Sequence, residues 1–226
     1  MFLGRLTVQP HVTDLLNHTS YDSDTARTDT GLALSTEAQN LLFREGRTAN
    51  AFADEPVTDE QIAAIYELVK WGPTAMNAQP LRVVLVRSDD ARNDLVALMN
   101  EGNRAKTAAA PLVAILAADI DFHDEFHQTF PANPGARDRF AADEQVRADA
   151  ATFNSALQIG YFLVGVRAAG LAAGPMGGFD TFGVSRRFFA DGRHRALMVV
   201  NIGYPTDASY RPRQPRLAYD DVVSVA

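Results

Sequence analysis

The stretch Glu144–Gly170, EQVRADAATFNSALQIGYFLVGVRAAG, decides the architecture. Apolar residues recur along it at helical spacing, at Val146, Phe153, Leu157, Tyr161 and Val164. Small residues stand between them at Ala150, Ala156, Gly160 and Gly165, and charge is scarce after Asp149. A surface helix keeps a polar face, so this pattern predicts a long helix buried on more than one side. The core of a domain or the seam of a dimer would hold such a helix.

The flanking chain supplies the layers around it. Upstream, Ser35 to Phe43 reads as a short helix stopped by Gly46. Thr58 and Gln61 form a capping box ahead of Ile62, Ile65, Leu68 and Val69, which predicts a helix from Thr58 to Trp71, ended by Gly72-Pro73. Leu81–Val86 is apolar and β-branched, as a buried strand should be. Ser88 caps a helix carrying Leu95, Val96 and Leu98, a shorter helix leads to Pro111, and Leu112–Ala117 is the second strand. Residues 119–143 are mixed and broken by Pro131 and Pro134. After the long helix come a strand over Leu171–Gly174, a helix over Phe179–Phe189 and a strand over Leu197–Ile202. Helices interspersed with strands predict an α+β or α/β sandwich. The domain is expected over residues 34–226. Residues 1–33, whose tract His11–Thr30 is polar and lacks an apolar period, read as a mobile or wrapping arm.

Composition narrows the chemistry. The 226 residues carry a net charge of −7, which argues against general affinity for nucleic acid or an anionic membrane. No apolar run approaches the ~18 residues needed to cross a bilayer. No secretory signal is evident, so a cytoplasmic location is expected. The chain has no cysteine, which removes disulfide scaffolds, cysteine-ligated metals and thiol nucleophiles together. Redox chemistry would need a bound cofactor.

Two stretches carry the functional signal. Arg47-Thr48-Ala49-Asn50 offers a guanidinium, a hydroxyl and an amide within four residues. Pro73-Thr74-Ala75-Met76-Asn77-Ala78-Gln79-Pro80 offers a hydroxyl and two carboxamides on a turn that leads into a strand. Fixed donors of these kinds suit a ligand with a phosphate at one end and a planar heteroaromatic ring at the other. Arg211 and Arg213 alternate along an extended segment and so point the same way. Gly177 and Gly178 sit at a strand-to-helix turn, where backbone amides can approach a ligand. Plainer roles are also open to these residues: solvated charge for the arginines, and turn chemistry for Thr74, Asn77, Gln79 and the glycines. Neither a G-x-G-x-x-G fingerprint, a phosphate-binding P-loop nor a Gly-x-Ser-x-Gly elbow occurs. His123 and His127 lie four apart but lack the zincin glutamate and a third ligand, so no metal is expected.

Five blocks in order resemble the flavin-dependent nitroreductase family. They are Arg47-Thr48-x-Asn50, Trp71-Gly-Pro-Thr74-x-x-Asn77, Gly174-Pro-Met-Gly-Gly-Phe-Asp180, Asn201-Ile-Gly-Tyr204 and Arg213-x-Pro-Arg-Leu217. The likeness is greatest to the malonic-semialdehyde reductase branch associated with pyrimidine degradation. It implies a three-layer α/β/α sandwich on a mostly antiparallel sheet, with the long helix in the core of a homodimer and active sites at the interface. It implies FMN as cofactor, with NADH or NADPH as transient reductant. By position, Arg47, Thr48, Arg211 and Arg213 would hold the phosphate, and Asn50 falls in the same block. Asn77 and Gln79 would meet the ring or ribityl chain, and Pro73, Thr74 and Ala75 would pack along the ring. Gly177 and Gly178 would place amides at the N5 and O4 edge.

Asn50 matches the semialdehyde branch, where typical nitroreductases carry a second arginine. Gln79 is nitroreductase-like, and Phe153 replaces a basic residue. The implied activity is ping-pong hydride transfer, with no catalytic side chain, to 3-oxopropanoate, the alternative being nitroaromatic or quinone acceptors. A flavin-binding sensor or storage protein is the non-enzymatic reading.

Overall fold

The computed structural model describes residues 31–226. The arm expected over residues 1–33 therefore falls, for residues 1–30, outside the described residues. The chain divides into two units, Met1–Ala38 and Gln39–Ala226. In the first, Ser35 Oγ accepts the Ala38 N–H at 3.2 Å and so starts helix α1, Thr36–Gln39.

The second unit continues with a π-helical turn, Asn40–Arg44, then α2 Asp59–Val69, β1 Leu81–Val86, α3 Asp89–Leu98 and α4 Glu101–Ala108. Next come β2 Leu112–Asp119, the short helices α5 Phe126–Thr129 and α6 Gly135–Ala141, and the long α7 Glu144–Ala168. β3 Ala172–Met176, α8 Thr181–Phe188, β4 His194–Gly203 and α9 Tyr219–Val222 complete it. Two caps follow the residues expected: Thr58 and Gln61 close the capping box on α2, and Ser88 caps α3. Asp143, which the sequence reading did not single out, accepts two amides at the start of α7. The last two strands run longer than the apolar pattern alone indicates. β4 begins at His194, and Ala196, two residues on, donates its N–H to Ser185 Oγ at 2.9 Å.

The four strands are antiparallel in the order β1-β2-β4-β3. β2 is buried over its whole length. Its alternation sends Val113, Ile115 and Ala117 into a cluster with Leu95, Val184 and Phe189 from α3, α8 and the residue after α8. Leu112, Ala114 and Leu116 enter the opposite cluster with Ile65 of α2 and Ile159, Phe162 and Val166 of α7. A third cluster closes one end, built on Phe122, Phe126, Ala136 and Ala151. The result is the three-layer α/β/α arrangement that the resemblance implies.

α7 lies against α2 at close range. A Cβ on Gly165 would sit 2.3 Å from Val69 Cγ1 and 3.1 Å from Ile65 Cγ2, so only glycine permits this approach. Within one chain α7 buries one side only. Val146, Phe153, Leu157 and Tyr161, expected to be covered, are 51%, 65%, 42% and 45% exposed. Among the described residues, Gly72 rests against the Tyr161 ring, yet all four side chains stay substantially exposed. Gly165→Val is expected to cost about 1–3 kcal/mol through overpacking at α2. Urea unfolding of the variant beside the native chain measures it, and an unchanged midpoint would contradict the close-packed seam.

Candidate functional site

The residues around Arg47 assemble along the edge of β3. The Ala49 N–H donates to Ala173 O at 2.9 Å, which lays the loop along the strand. Gly174 is required there, because a Cβ would fall 2.5 Å from Ala49 O. The same loop is tied to the C-terminal segment. Asn50 N donates to Ser209 O at 2.9 Å, Ser209 Oγ to Ala51 O at 2.6 Å, and Ala53 N to Tyr204 O at 2.9 Å. Residues 47–53 and 204–213, far apart in sequence, thus become neighbours through backbone bonds.

The guanidiniums follow from this framework. Arg47 stacks over the Tyr210 ring at 4.9 Å and donates to Arg211 O at 3.4 Å. Arg213 donates to Arg44 O at the end of the π-helical turn, and Arg167 of α7 donates to Leu41 O and Leu42 O of the same turn. Helix-terminal carbonyls lack intrahelical donors, which is why cations collect at this end. Arg47, Thr48, Asn50, Arg211 and Arg213 line one cavity of about 440 Å³, together with Pro212, Gln214 and Arg216. None of its lining residues is acidic. Arg216 and Arg167 both border an adjoining cavity beside Thr48 and Ala173. Lys106 stands near Arg211, and burial first, then Arg211, pushes its ammonium below the usual lysine range. In a chain of net charge −7 this is a local basic pocket shaped for an anion.

The ring-end turn is built differently. Ala75–Asn77 forms a 3₁₀ turn in which Met76 and Asn77 have φ of 55° and 52°, and Gln79 follows at 44°. Three non-glycine residues in the left-handed region within four positions are strained, at roughly 1–3 kcal/mol each. Side-chain bonds hold them. Asn154 Oδ1 accepts the Ala75 N–H at 2.7 Å, and Thr74 Oγ1 accepts the Gln79 N–H at 3.2 Å. Asn77 Nδ2 donates to Thr129 O at 2.7 Å and Gln79 Nε2 to Asn77 Oδ1 at 2.9 Å. Arg82 donates to Gln79 O at 2.9 Å and pairs with the buried Asp119 at 2.8 Å, where Arg193 also bonds. Pro73, Asn77 and Gln79 face a cavity of about 230 Å³ with Tyr66, Lys70, Trp71 and Gly72.

The structure therefore gathers the expected residues into two groups. The cavity at Arg47 and the cavity at Pro73 share no lining residue, and Gly177 and Gly178 line neither. Gly177 is exposed just beyond β3, while Gly178 O accepts from Asn100 N at 3.0 Å and Asn103 Nδ2 at 2.9 Å, which fixes that turn. Sequence reasoning passed over Asn154, Arg82, Lys106 and Arg167 as site residues. Arg216 stood inside a quoted block and was the one with a signal.

Comparison with known proteins gives the family. The nitroreductase family profile matches residues 44–204. The chain belongs to the nitroreductase family. That membership makes it an oxidoreductase of nitroreductase type. A Streptomyces coelicolor protein, provisionally named NADH dehydrogenase/NAD(P)H nitroreductase SCO5049, is 63% identical over 193 residues, 85% of this chain and 98% of that protein. The crystal structure of a Bacillus subtilis protein provisionally described as the nitroreductase ydfN has a TM-score of 0.74 at 25% identity, covering 84% of this chain and 99% of the other. A protein of Exiguobacterium sibiricum, provisionally described as a nitroreductase and solved in complex with FMN, has a TM-score of 0.73 at 20% identity, over 85% and 98% of the two chains.

The two histidines sit apart from this chemistry. His123 is buried beside Phe122, with ring centroids 6.2 Å apart, and His127 is exposed with Nδ1 2.9 Å from Asp124 O. Among the described residues no three His, Asp or Glu side chains converge on a metal position. Burial pushes the His123 imidazole below 6.5, with Asp124 and Asp121 opposing and Arg147 and Arg137 reinforcing the shift. Its folded pKa is depressed, so below pH 6.5 the unfolded chain holds the extra proton and stability falls as pH drops through that window. His123→Gln is expected to flatten this part of the curve. Urea midpoints at pH 7.5, 6.5 and 5.5 test it, and an identical acid-side slope in both proteins would count against it.

Proposed function

We propose that the chain is an FMN-dependent oxidoreductase that takes reducing equivalents from NADH or NADPH and passes them to a small-molecule acceptor. The observation that carries this is the convergence of Arg47, Arg211 and Arg213 on one cavity free of acidic residues. Thr48 adds a hydroxyl and Asn50 an amide, which fits a phosphate monoester. The strained turn at Met76–Gln79 and the exposed Gly177 backbone fit the edge of a planar ring. When bound, FMN supplies hydride uptake and return at N5. The protein would contribute the rest. Arg47, Thr48, Arg211 and Arg213 would anchor the phosphate, Asn77 and Gln79 would meet the ring or ribityl chain, and Pro73, Thr74 and Ala75 would flank the ring. Gly177 and Gly178 would aim amides at its polar edge.

The working unit in this reading is a homodimer with active sites at its interface. Two features support it. The apolar side chains of Val146, Phe153, Leu157 and Tyr161 on α7 stay substantially exposed among the described residues. The phosphate-end and ring-end cavities share no lining residue, so each flavin would take its ends from different subunits. No helix of the described residues is long and apolar enough to cross a membrane.

For the acceptor we propose malonic semialdehyde, reduced to 3-hydroxypropanoate, as Asn50 and the branch resemblance imply. Nitroaromatic compounds and quinones are the second reading, favoured by Gln79 and by the name of the Streptomyces coelicolor relative. Steady-state rates of the FMN-loaded protein with the three acceptors separate them, and nitro reduction equal to or faster than semialdehyde reduction would demote the first. Bleaching of the yellow protein by NADH, with colour restored by an acceptor, distinguishes an enzyme from a flavin store. Arg213→Ala is expected to weaken FMN binding by about tenfold or more, the loss of a charge-assisted bond of roughly 1.5–3 kcal/mol. Unchanged FMN occupancy after dialysis would argue against this placement.

A further inference from the structure

The segment from Gly72 to Leu81 is attached to α7 at three successive positions on one side of that helix. A Cβ on Gly72 would lie 2.8 Å from the Tyr161 ring, so glycine lets the chain rest directly on the aromatic face. Leu81 N donates to Gln158 Oε1 at 3.0 Å. Between them, Ala75 N donates to Asn154 Oδ1 at 2.7 Å, and Asn154 Nδ2 donates to Ala150 O at 2.8 Å. Asn154 is only 2% exposed. The two bonds require opposite ends of its carboxamide, so one orientation of the amide satisfies both.

Asn154 is polar where much of the buried side of α7 is apolar. Its neighbours along the buried side of α7 include Ala151 and Ile159, and a leucine of similar size would suit helix and core better. What the carboxamide does is fix the first residue of the 3₁₀ turn. Immediately after it come Met76, Asn77 and Gln79, the three residues with positive φ. A strained turn persists only where its surroundings over-determine it. Releasing Ala75 removes one end of the clamp.

We infer that Asn154 is a positioning residue for the flavin ring, acting through Ala75 to hold the Thr74–Gln79 turn in its ligand-ready conformation. This rests on the flavin reading above. It also joins two features that the sequence keeps apart. Phe153, next to Asn154, belongs to the exposed apolar stripe of α7, so the helix proposed to meet a second copy is also the template for the ring-end turn. Seating of the partner and shaping of the ring site would then be coupled through one helix.

The test uses riboflavin and FMN as separate probes on the full-length apo-protein, read by quenching of flavin fluorescence. Riboflavin lacks the phosphate and so reports the ring end alone. Asn154→Leu is expected to weaken riboflavin binding by about tenfold, a loss of the size expected when one buried hydrogen bond is removed. Arg213→Ala should leave riboflavin binding unchanged and weaken FMN binding only. If the native chain binds neither probe, the flavin reading fails. If the native chain binds both and a folded Asn154→Leu variant matches it for riboflavin, the positioning role fails while the flavin reading stands.

Should Asn154→Leu not fold, Asn154→Ala and Asn154→Asp carry the test together. Aspartate keeps an oxygen that can accept from Ala75 N in either protonation state, whereas alanine offers no acceptor. Riboflavin binding is therefore expected to fall about tenfold in Asn154→Ala and clearly less in Asn154→Asp. Equal riboflavin binding by the two folded variants would overturn the inference.

Discussion

The close approach of α7 to α2 is the constraint on which the rest of the molecule depends. It exists because Gly165 has no side chain: any Cβ there would overlap Val69. Dispersion and apolar burial at such short range favour one register of the two helices and penalise others. With that register set, Asn154, Gln158 and Tyr161 meet the chain between Gly72 and Leu81. β1 then enters the sheet from a defined starting point, and the positive-φ turn ahead of it has fixed supports. A single helix thus serves the core on one side and a candidate ligand site along its flank.

The basic cavity at Arg47 relies on a different kind of bond. Residues 47–53 and 204–213 are joined through backbone amides and the buried Ser209 hydroxyl, around a strand edge that only Gly174 leaves open. Backbone bonds of this sort carry no chemical specificity. They place the segments, and the guanidiniums arrive as a consequence. Arg47 rests on Tyr210, while Arg213 and Arg167 satisfy carbonyls at the end of the π-helical turn. Several cations held near one another repel, and burial has already made Lys106 a weaker base beside Arg211. An anion in the cavity would relieve that repulsion, which is the electrostatic argument for a phosphate there.

Much of this was legible in the residues. The capping box at Thr58 and Gln61, the β-branched run of β1 and the small-and-apolar pattern of α7 are local signals, and local signals survive without a fold. The five family blocks likewise contain Arg47, Arg213, Pro73 and Asn77, which line the two cavities. Asn154 was not legible as a site residue, because its role depends on Ala75, 79 positions away, and a lone asparagine in a helix has no signature of that contact. Lys106 and Arg167 were hidden for the same reason. The burial expected for Val146 and Phe153 is not met among the described residues, because an apolar pattern does not say what covers it.

Taken alone, the sequence determined the kinds of element, their order, the family and the residue types available to an anion and a ring. These follow from propensity, periodicity and short motifs, all of which act over a few residues. Tertiary structure decided which residues meet. It brought Arg47 to Arg211 and Arg213, strained Met76, Asn77 and Gln79 into the left-handed region, and turned Asn154 into their support. Such contacts arise only after loop closure and close packing have selected one arrangement, so no local rule contains them.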